Sequence, residues 1–395
     1  MKLILKGRIF DGLELFKNST VVIGESGMIE DVGERGSVEV KNDSKMIVVN
    51  DGTILPGLID SHVHFFGAKG SGITEWAMTP DALAVLRSVA DLNRLLRAGF
   101  TSVRELGTKA ATMLAKAASE DCFPSPRIVS CSRALAQTGG DDDPAAMPLE
   151  IGKKLASYSY FCDGPWDCRK AVRKVVRDGG RVVKIYASGG FSQGGRVRLQ
   201  FTPDEIEAIV DEAHRSGLKV AAHAYGKEAL MNVIKGGVDS IEHGLGLTEE
   251  IAKMIRDKRI YYVPTLITYR KLKPSSNPAR EEMIKNHFAK DMILAKEYSL
   301  LVAMGSDIVG DETRPHGMNY EEILEEARFL GNKEALVAAT SRAAECIGLE
   351  KTGKLTSGSV ADVIVVRGNP LENLSALAPE NIIHVIKQGR LYSNA

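Results

Sequence analysis

A chain of 395 residues, 44% hydrophobic and 26% charged, can bury a large core, and those proportions exclude a disordered polypeptide. Its 51 basic and 51 acidic residues cancel, so charge gives no reason to expect nucleic acid or an anionic membrane as a partner, and a small-molecule substrate is expected instead. Five scattered cysteines without a Cys-x-x-Cys pair argue against a disulfide framework and a zinc ribbon.

The first residues, Met1-Lys-Leu-Ile-Leu-Lys6, are apolar for only three positions before a charge, too few for a signal core or a membrane span, so a cytoplasmic protein is expected. Residues 1–54 carry short alternating runs (Lys2-Leu-Ile-Leu, Thr20-Val-Val-Ile, Met46-Ile-Val-Val) parted by Asp-Gly, Ser-Gly and Asn-Asp turn signals, a pattern that predicts antiparallel strands. Residues 351–395, with Val360-Ala-Asp-Val-Ile-Val-Val and Ile382-Ile-His-Val-Ile, have the same character. Both termini are therefore expected to form one small β-domain beside a central body.

Residues 55–350 alternate strand-like and helix-like segments. The apolar run Thr53-Ile-Leu-Pro-Gly-Leu-Ile-Asp60-Ser-His62-Val-His64 reads as a buried strand. Thr79-Pro-Asp81 opens a helix with a cap, a proline and an early acid, and Gly99 closes it. Strand Phe100–Leu106, helix 109–120, strand Arg127–Ser132, helix 166–178 and strand Arg181–Ala187 follow. Thr202-Pro-Asp-Glu205 predicts a capping box before a helix with Ile206, Ile209, Val210 and Ala213 along one face. Strands at 219–223, 240–243, 260–265 and 300–307, with helices between, complete eight units, which predicts a (β/α)8 TIM barrel.

Reactive groups of such barrels sit at the carboxyl ends of the strands. His62 and His64 end the first strand, two residues apart and so on one face. Lys184 lies toward the end of the fourth, His223 ends the fifth, His243 the sixth and Asp307 the eighth. Each alone has a plain alternative as a core histidine, a snorkelling lysine or a helix-capping aspartate; their agreement in placement points to one metal site.

Gly57-Leu-Ile-Asp-Ser-His62-Val-His64, Lys184-Ile-Tyr-Ala-Ser-Gly-Gly, Ala222-His223-Ala-Tyr-Gly, Ser240-Ile-Glu-His243-Gly and Gly305-Ser-Asp307 resemble the successive signatures of the amidohydrolase superfamily, most closely its prolidase-like and imidazolonepropionase-like branch. Gly353–Val365 is similar to that family's return to a small β-sandwich, so the resemblance spans almost the whole chain. It implies two divalent metal ions, zinc by preference. His62, His64 and Asp307 would hold one ion, His223 and His243 the other, and Lys184, carbamylated by carbon dioxide, would bridge both. A buried lysine with a depressed pKa can react as a free amine, and its carbamate is an anion with two ligating oxygens.

The metals would activate a bridging hydroxide and polarise the scissile carbonyl, while Asp307 would carry the proton to the leaving nitrogen. Asp60 would orient ligands. Tyr225 would hydrogen-bond the carbonyl oxygen as charge develops. His316, in Arg314-Pro-His-Gly, would contact substrate. Gln137-Thr-Gly-Gly-Asp141-Asp-Asp143 stands where prolidase-like relatives carry Thr-Gly-Gly-His-Gly-Asp; three carboxylates near the mouth would repel an anion or welcome a cation. Arg196 and Arg198 would receive a terminal carboxylate, and a solvated loop is the alternative for these five residues.

The expected activity is cleavage of an amide in a dipeptide or N-acyl amino acid by a homo-oligomeric enzyme. The competing readings are a hydrolase opening a cyclic amide of the imidazolone type, with one metal and no modified lysine, and a non-catalytic assembly protein, which would be expected to have lost ligands.

Overall fold

The computed structural model describes residues 2–34, 44–70, 72–144, 147–155, 158–191 and 197–393. Near the start are β1 (Leu3–Phe10), β2 (Leu15–Ile23), β3 (Ile29–Glu34) and β4 (Lys45–Pro56). The central region contributes β5 (Leu58–Val63), β6 (Phe100–Glu105), β7 (Arg127–Ser130), β8 (Ala134–Ala136), β9 (Ser159–Phe161), β10 (Val182–Tyr186), β11 (Lys219–Ala224), β12 (Ser240–His243), β13 (Tyr261–Val263) and β14 (Leu301–Val302). Last come β15 (Val363–Arg367), β16 (Ile382–Lys387) and β17 (Arg390–Ser393).

The terminal runs pair in one seven-stranded sheet ordered β17-β16-β15-β4-β1-β2-β3, in which β1 and β4 run parallel rather than in the antiparallel manner the sequence predicts. Its register explains why both ends are needed: β4 lies between β1 and β15, with Ile54 opposite both Ile9 and Val365. Leu5, Ile9, Val21, Ile54, Val363 and Val365 share one core. Pro56 still pairs with Val363, and the chain enters β5 only after Gly57. An ideal Cβ at Gly57 would fall 2.1 Å from the Thr101 hydroxyl, so a side chain there would block this passage between sheets.

The central strands run parallel in two sheets, β5-β6-β7 and β14-β13-β12-β11-β10-β8-β9. The sequence pattern does not announce β8 and β9. The third strand breaks at Ser132, whose φ of 66° is left-handed: its first half, β7, pairs with β6 and its second, β8, with β10. Arg181 N donates to Ser130 O (2.8 Å) at this junction. On the other side Ser61 N donates to Met304 O (2.9 Å), Asp307 N to His62 O (2.8 Å) and His64 N to Ile308 O (3.0 Å). The architecture is α/β and TIM-barrel-like.

Helix Pro203–Arg215 forms with the expected capping box: Thr202 N donates to Glu205 Oε2 (2.6 Å), and Ile206, Ile209, Val210 and Ala213 are buried. Burial of each large aliphatic side chain there contributes about 1.5–3 kcal/mol. The cap expected at Thr79 is not made. Its hydroxyl donates back to Glu75 O (2.8 Å), closing an unforeseen short helix, Ile73–Met78, before helix Asp81–Arg97 begins. That short helix brings Trp76 onto Phe66, with ring centroids 4.0 Å apart. Among the described residues all five cysteines are free, and no helix is long and apolar enough to cross a membrane.

Candidate active site

Parallel strands deliver their side chains to one end, and there lies a cavity of about 320 Å3 lined by His62, His64, Lys184, His223, His243 and Asp307. One ligand atom from each of His62, His64 and Asp307 falls within 4.8 Å of the others. Asp307 Oδ1 stands 3.5 Å from His62 Nε2 and 3.3 Å from His64 Nε2. The His243 ring centroid lies 4.7 Å from that of His223 and 5.1 Å from that of His62. His243 (φ 67°) and Asp307 (φ 53°) both hold left-handed backbone, a strained conformation of the kind that clusters at functional sites.

The histidines are aimed by their far nitrogens. His62 Nδ1 donates to Glu242 Oε2 (2.8 Å), and His64 Nδ1 faces Gly107 O (3.4 Å). A carboxylate only accepts, so the His62 proton stays on Nδ1 and its Nε2 lone pair faces inward. His243 Nδ1 meets Thr265 Oγ1 at 2.7 Å. Nε2 of both His62 and His223 is buried without a hydrogen-bond partner among the described residues. Two buried unpartnered imidazole nitrogens beside an acceptor-only carboxylate make an arrangement that a divalent cation satisfies. The donor set therefore fits a metal.

Charge follows the same logic. Burial lowers the Lys184 ammonium, the direction needed for a reactive amine. Burial, aided by Lys184, lowers His62 to about 4 and His223 to about 3, which keeps both neutral and so able to ligate. Burial alone would raise Asp307, but the His64 hydrogen bond and the His62 and His243 rings outweigh it and hold the carboxyl well below its ordinary range.

Sequence reasoning missed the support beneath these ligands. Glu242 Oε1 accepts from Arg104 Nη2 (2.6 Å) and Ser240 Oγ (2.6 Å), while Arg104 Nε donates to Ser61 O (2.6 Å). Arg104 and Glu242 are buried in the interior. A charged residue in each of two apolar strands was the available signal, but their pairing depends on strand order. Asp60 does orient this region: it accepts from His62 N, Ser306 N, Ser306 Oγ and Asn319 Nδ2, at 2.6–3.0 Å. Burial pushes it up to about 6 despite those bonds.

Tyr225 lines the cavity, its hydroxyl 2.7 Å from that of Tyr269 and its ring 4.4 Å from His223. Burial raises both phenols well above their ordinary range, so each stays protonated. His316 is not among the cavity-lining residues; its Nε2 meets His64 O (2.9 Å) and its ring packs on Phe65. The Asp141–Asp143 run is buried rather than a solvated acidic lip. Asp141 Oδ1 accepts from Gly190 N (2.9 Å), Asp142 accepts from Ser159 Oγ and is pushed up to about 7 by burial, and Asp143 accepts from Gly139 N (2.8 Å).

Asp141 and Asp142 line the cavity. Arg198 is exposed and away from the cavity wall, and Arg196 lies outside the described residues. The cationic side chain that does reach the wall beside Lys184 is Arg314, from a loop with no periodic signal.

A fold of parallel strands with converging imidazoles, a lysine and an aspartate at their carboxyl ends defines a metal-dependent hydrolase class. The chain belongs to the amidohydrolase family, whose model matches residues 53–392. It is 32% identical to the ochratoxinase of Aspergillus niger over a 408-residue alignment covering 96% of this chain and 84% of that protein. The crystal structure of A. niger ochratoxinase superposes with a TM-score of 0.91 at 29% identity, covering 99% of this chain and 96% of that one. A prolidase complexed with N-methylphosphonate-L-proline gives a TM-score of 0.91 at 31% identity over all of both chains. A Xaa-Pro dipeptidase with bound methionine gives 0.84 at 29%, also over all of both. The chain is thus an enzyme that hydrolyses carbon–nitrogen bonds, in a family acting on small molecules and generally using divalent metal.

Proposed function

We propose that this enzyme cleaves the amide bond of a dipeptide or N-acyl amino acid with two divalent ions, zinc by the donor set, held in the cavity. The observation that carries the reading is the convergence of six side chains from five strand ends, with Nε2 of His62 and of His223 buried and unpartnered among the described residues. His62, His64 and Asp307 would hold one ion and His223 and His243 the other, with Lys184, carbamylated, as a shared ligand. Bound there, the ions supply Lewis acidity that brings a water toward ionisation at neutral pH and polarises the scissile carbonyl.

The chain's own groups do the rest. Asp307 Oδ2, the oxygen turned away from the close His62 and His64 contacts, takes the proton of the attacking water and returns it to the leaving nitrogen. Without that proton an amine would be too poor a leaving group. Tyr225 donates its hydroxyl hydrogen to the carbonyl oxygen as negative charge develops, and Tyr269 supports it from 2.7 Å. Phe66, Trp76 and Phe191 give the cavity an aromatic wall.

The hydrogen bonds across both edges of the parallel sheets support a closed (β/α)8 barrel over residues 55–350. The pairing of β4 with β1 and β15 supports assigning 1–54 and 351–395 to one shared β-domain, which we read as a β-sandwich. A cytoplasmic homo-oligomer completes the proposal, checked by fractionation and sedimentation. The direct test is a panel of dipeptides and N-acyl amino acids, varied at the C-terminal residue, with zinc-replete enzyme grown in bicarbonate. Two metals per chain and release of a free amino acid are expected; fewer than one metal per chain, or an intact panel, would defeat the reading.

A further inference from the structure

We propose that Arg314 is the specificity residue that binds the α-carboxylate of the substrate, which narrows the substrate class to acyl or aminoacyl amino acids with a free C-terminus. The inference rests on the amide-hydrolase reading of the same cavity.

Among the described residues, Lys184 and Arg314 are the lysine and arginine side chains on the cavity wall. Lys184 lies among the proposed ligands, which among the described residues leaves Arg314 as the cation on the wall available to substrate. Its guanidinium is held by two bonds: Nη2 to Asp311 Oδ2 (3.0 Å) and Nη1 to Thr268 Oγ1 (3.3 Å). A guanidinium has five N–H donors, so three remain without a protein partner among the described residues. The side chain is only 9% exposed and lines the cavity.

Its supports fix it in place. Asp311 Oδ1 accepts from Thr313 N, Thr313 Oγ1 and Arg314 N at 2.7–2.9 Å, which locks the carboxylate whose other oxygen grips the guanidinium. Thr268 Oγ1 donates to the carbonyls of Ser306 (3.1 Å) and Asp307 (3.0 Å), so Arg314 is tied through one hydroxyl to the backbone of a proposed metal ligand. In a dipeptide the carboxylate carbon is three bonds from the scissile carbonyl carbon, so a carboxylate anchor must sit close to the reacting centre. Asp141 and Asp142 line another part of the wall, with Asp141 bonded to Gly190 beside His223, and would repel a carboxylate placed there. A fixed, partly desolvated guanidinium with spare donors is the group suited to bind it in bidentate fashion.

The test uses the metal-loaded enzyme with glycyl-L-phenylalanine and its C-terminal amide as a matched pair for turnover. Calorimetric binding of N-acetyl-L-phenylalanine and N-acetyl-L-phenylalaninamide gives a second readout that needs no turnover. Wild type is expected to favour the acid on the order of 100-fold in kcat/KM, mainly through KM, and to bind the acid more tightly. Arg314→Met should abolish the preference by weakening the acid alone, and Arg314→Lys, which keeps a charge against Asp311 without the planar fork, should restore part of it. Arg280→Met, behind Phe191 with the guanidinium 5.4 Å from that ring, should leave the preference unchanged.

Equal handling of acid and amide by wild type, or an equal loss for both in Arg314→Met and Arg314→Lys, overturns the assignment while leaving amide hydrolysis standing. Acid-selective binding that depends on Arg314, without cleavage of either peptide, sustains the assignment and refutes the proposed substrate reaction.

Discussion

Replacing Glu242 with glutamine isolates the buried charge that supports the ligands. Burial would raise this carboxyl, but Arg104, His62 and Lys184 bring it from 4.5 down to about 2. That drop corresponds to about 3 kcal/mol of folding stability. Because the folded pKa is depressed, the contribution is present above pH 4.5 and is lost as pH falls through about 2. Glutamine forfeits it at neutral pH and leaves Arg104, 1% exposed, without its full counter-charge. Breaking a buried pair from one side costs about 3–5 kcal/mol, in agreement with the pKa argument and a large fraction of the roughly 5–15 kcal/mol that holds a protein folded.

The same change reaches the metal. An amide NH2 turned toward His62 Nδ1 would force the ring proton onto Nε2 and block the inward lone pair, lowering metal affinity about 10–100-fold. Urea unfolding of the metal-free protein at pH 7 and a competitive zinc titration measure the two effects separately. Replacing both Arg104 and Glu242 with methionine should destabilise less than Glu242→Gln, because no orphan charge is left. A Glu242→Gln protein with the wild-type unfolding midpoint and zinc affinity would show that the Arg104–Glu242–His62 chain is a bystander.

Asp307→Asn should fold and retain most metal while turnover falls on the order of 100- to 10,000-fold, read by steady-state kinetics beside metal analysis; wild-type turnover would remove Asp307 from proton transfer. Lys184→Ala should lower metal content to one ion or less per chain with loss of activity, and normal values of both together would end the bridging proposal. Burial pushes Glu105 up to about 8, so its folded state keeps a proton that the unfolded chain releases above 4.5, and stability falls as pH rises across that window. Glu105→Gln, which can still accept from Gly107 N and Thr108 Oγ1 at 2.9 Å, should match wild type at pH 4 and exceed it at pH 9 by up to about 4 kcal/mol in metal-free protein. Parallel pH profiles for the two proteins would place that carboxyl's titration elsewhere.

Strand periodicity made the convergence of the proposed ligands legible in the sequence. His62 and His64 two apart, and Lys184, His223, His243 and Asp307 at or near the ends of apolar runs, need only the rule that parallel strands finish on one face. The terminal pairing was legible because both ends repeat the same alternating runs. The cap at Thr202 was legible because a capping box is local, and the failed cap at Thr79 shows the limit: its hydroxyl had a competing carbonyl one turn back, in a helix that the sequence pattern does not announce.

What only the tertiary structure decided is which side chains from distant strands share a partner. Arg104 finds Glu242, Asp60 binds Ser306 and Asn319, His316 turns onto the His64 carbonyl, and the Asp141–Asp143 run folds inward to meet backbone amides. Arg314 reaches the cavity from an aperiodic loop, whereas Arg198 does not. Local sequence sets the spacing and direction of side chains within one element. Desolvation and hydrogen-bond satisfaction act between elements, and they choose partners only when the strands are already side by side.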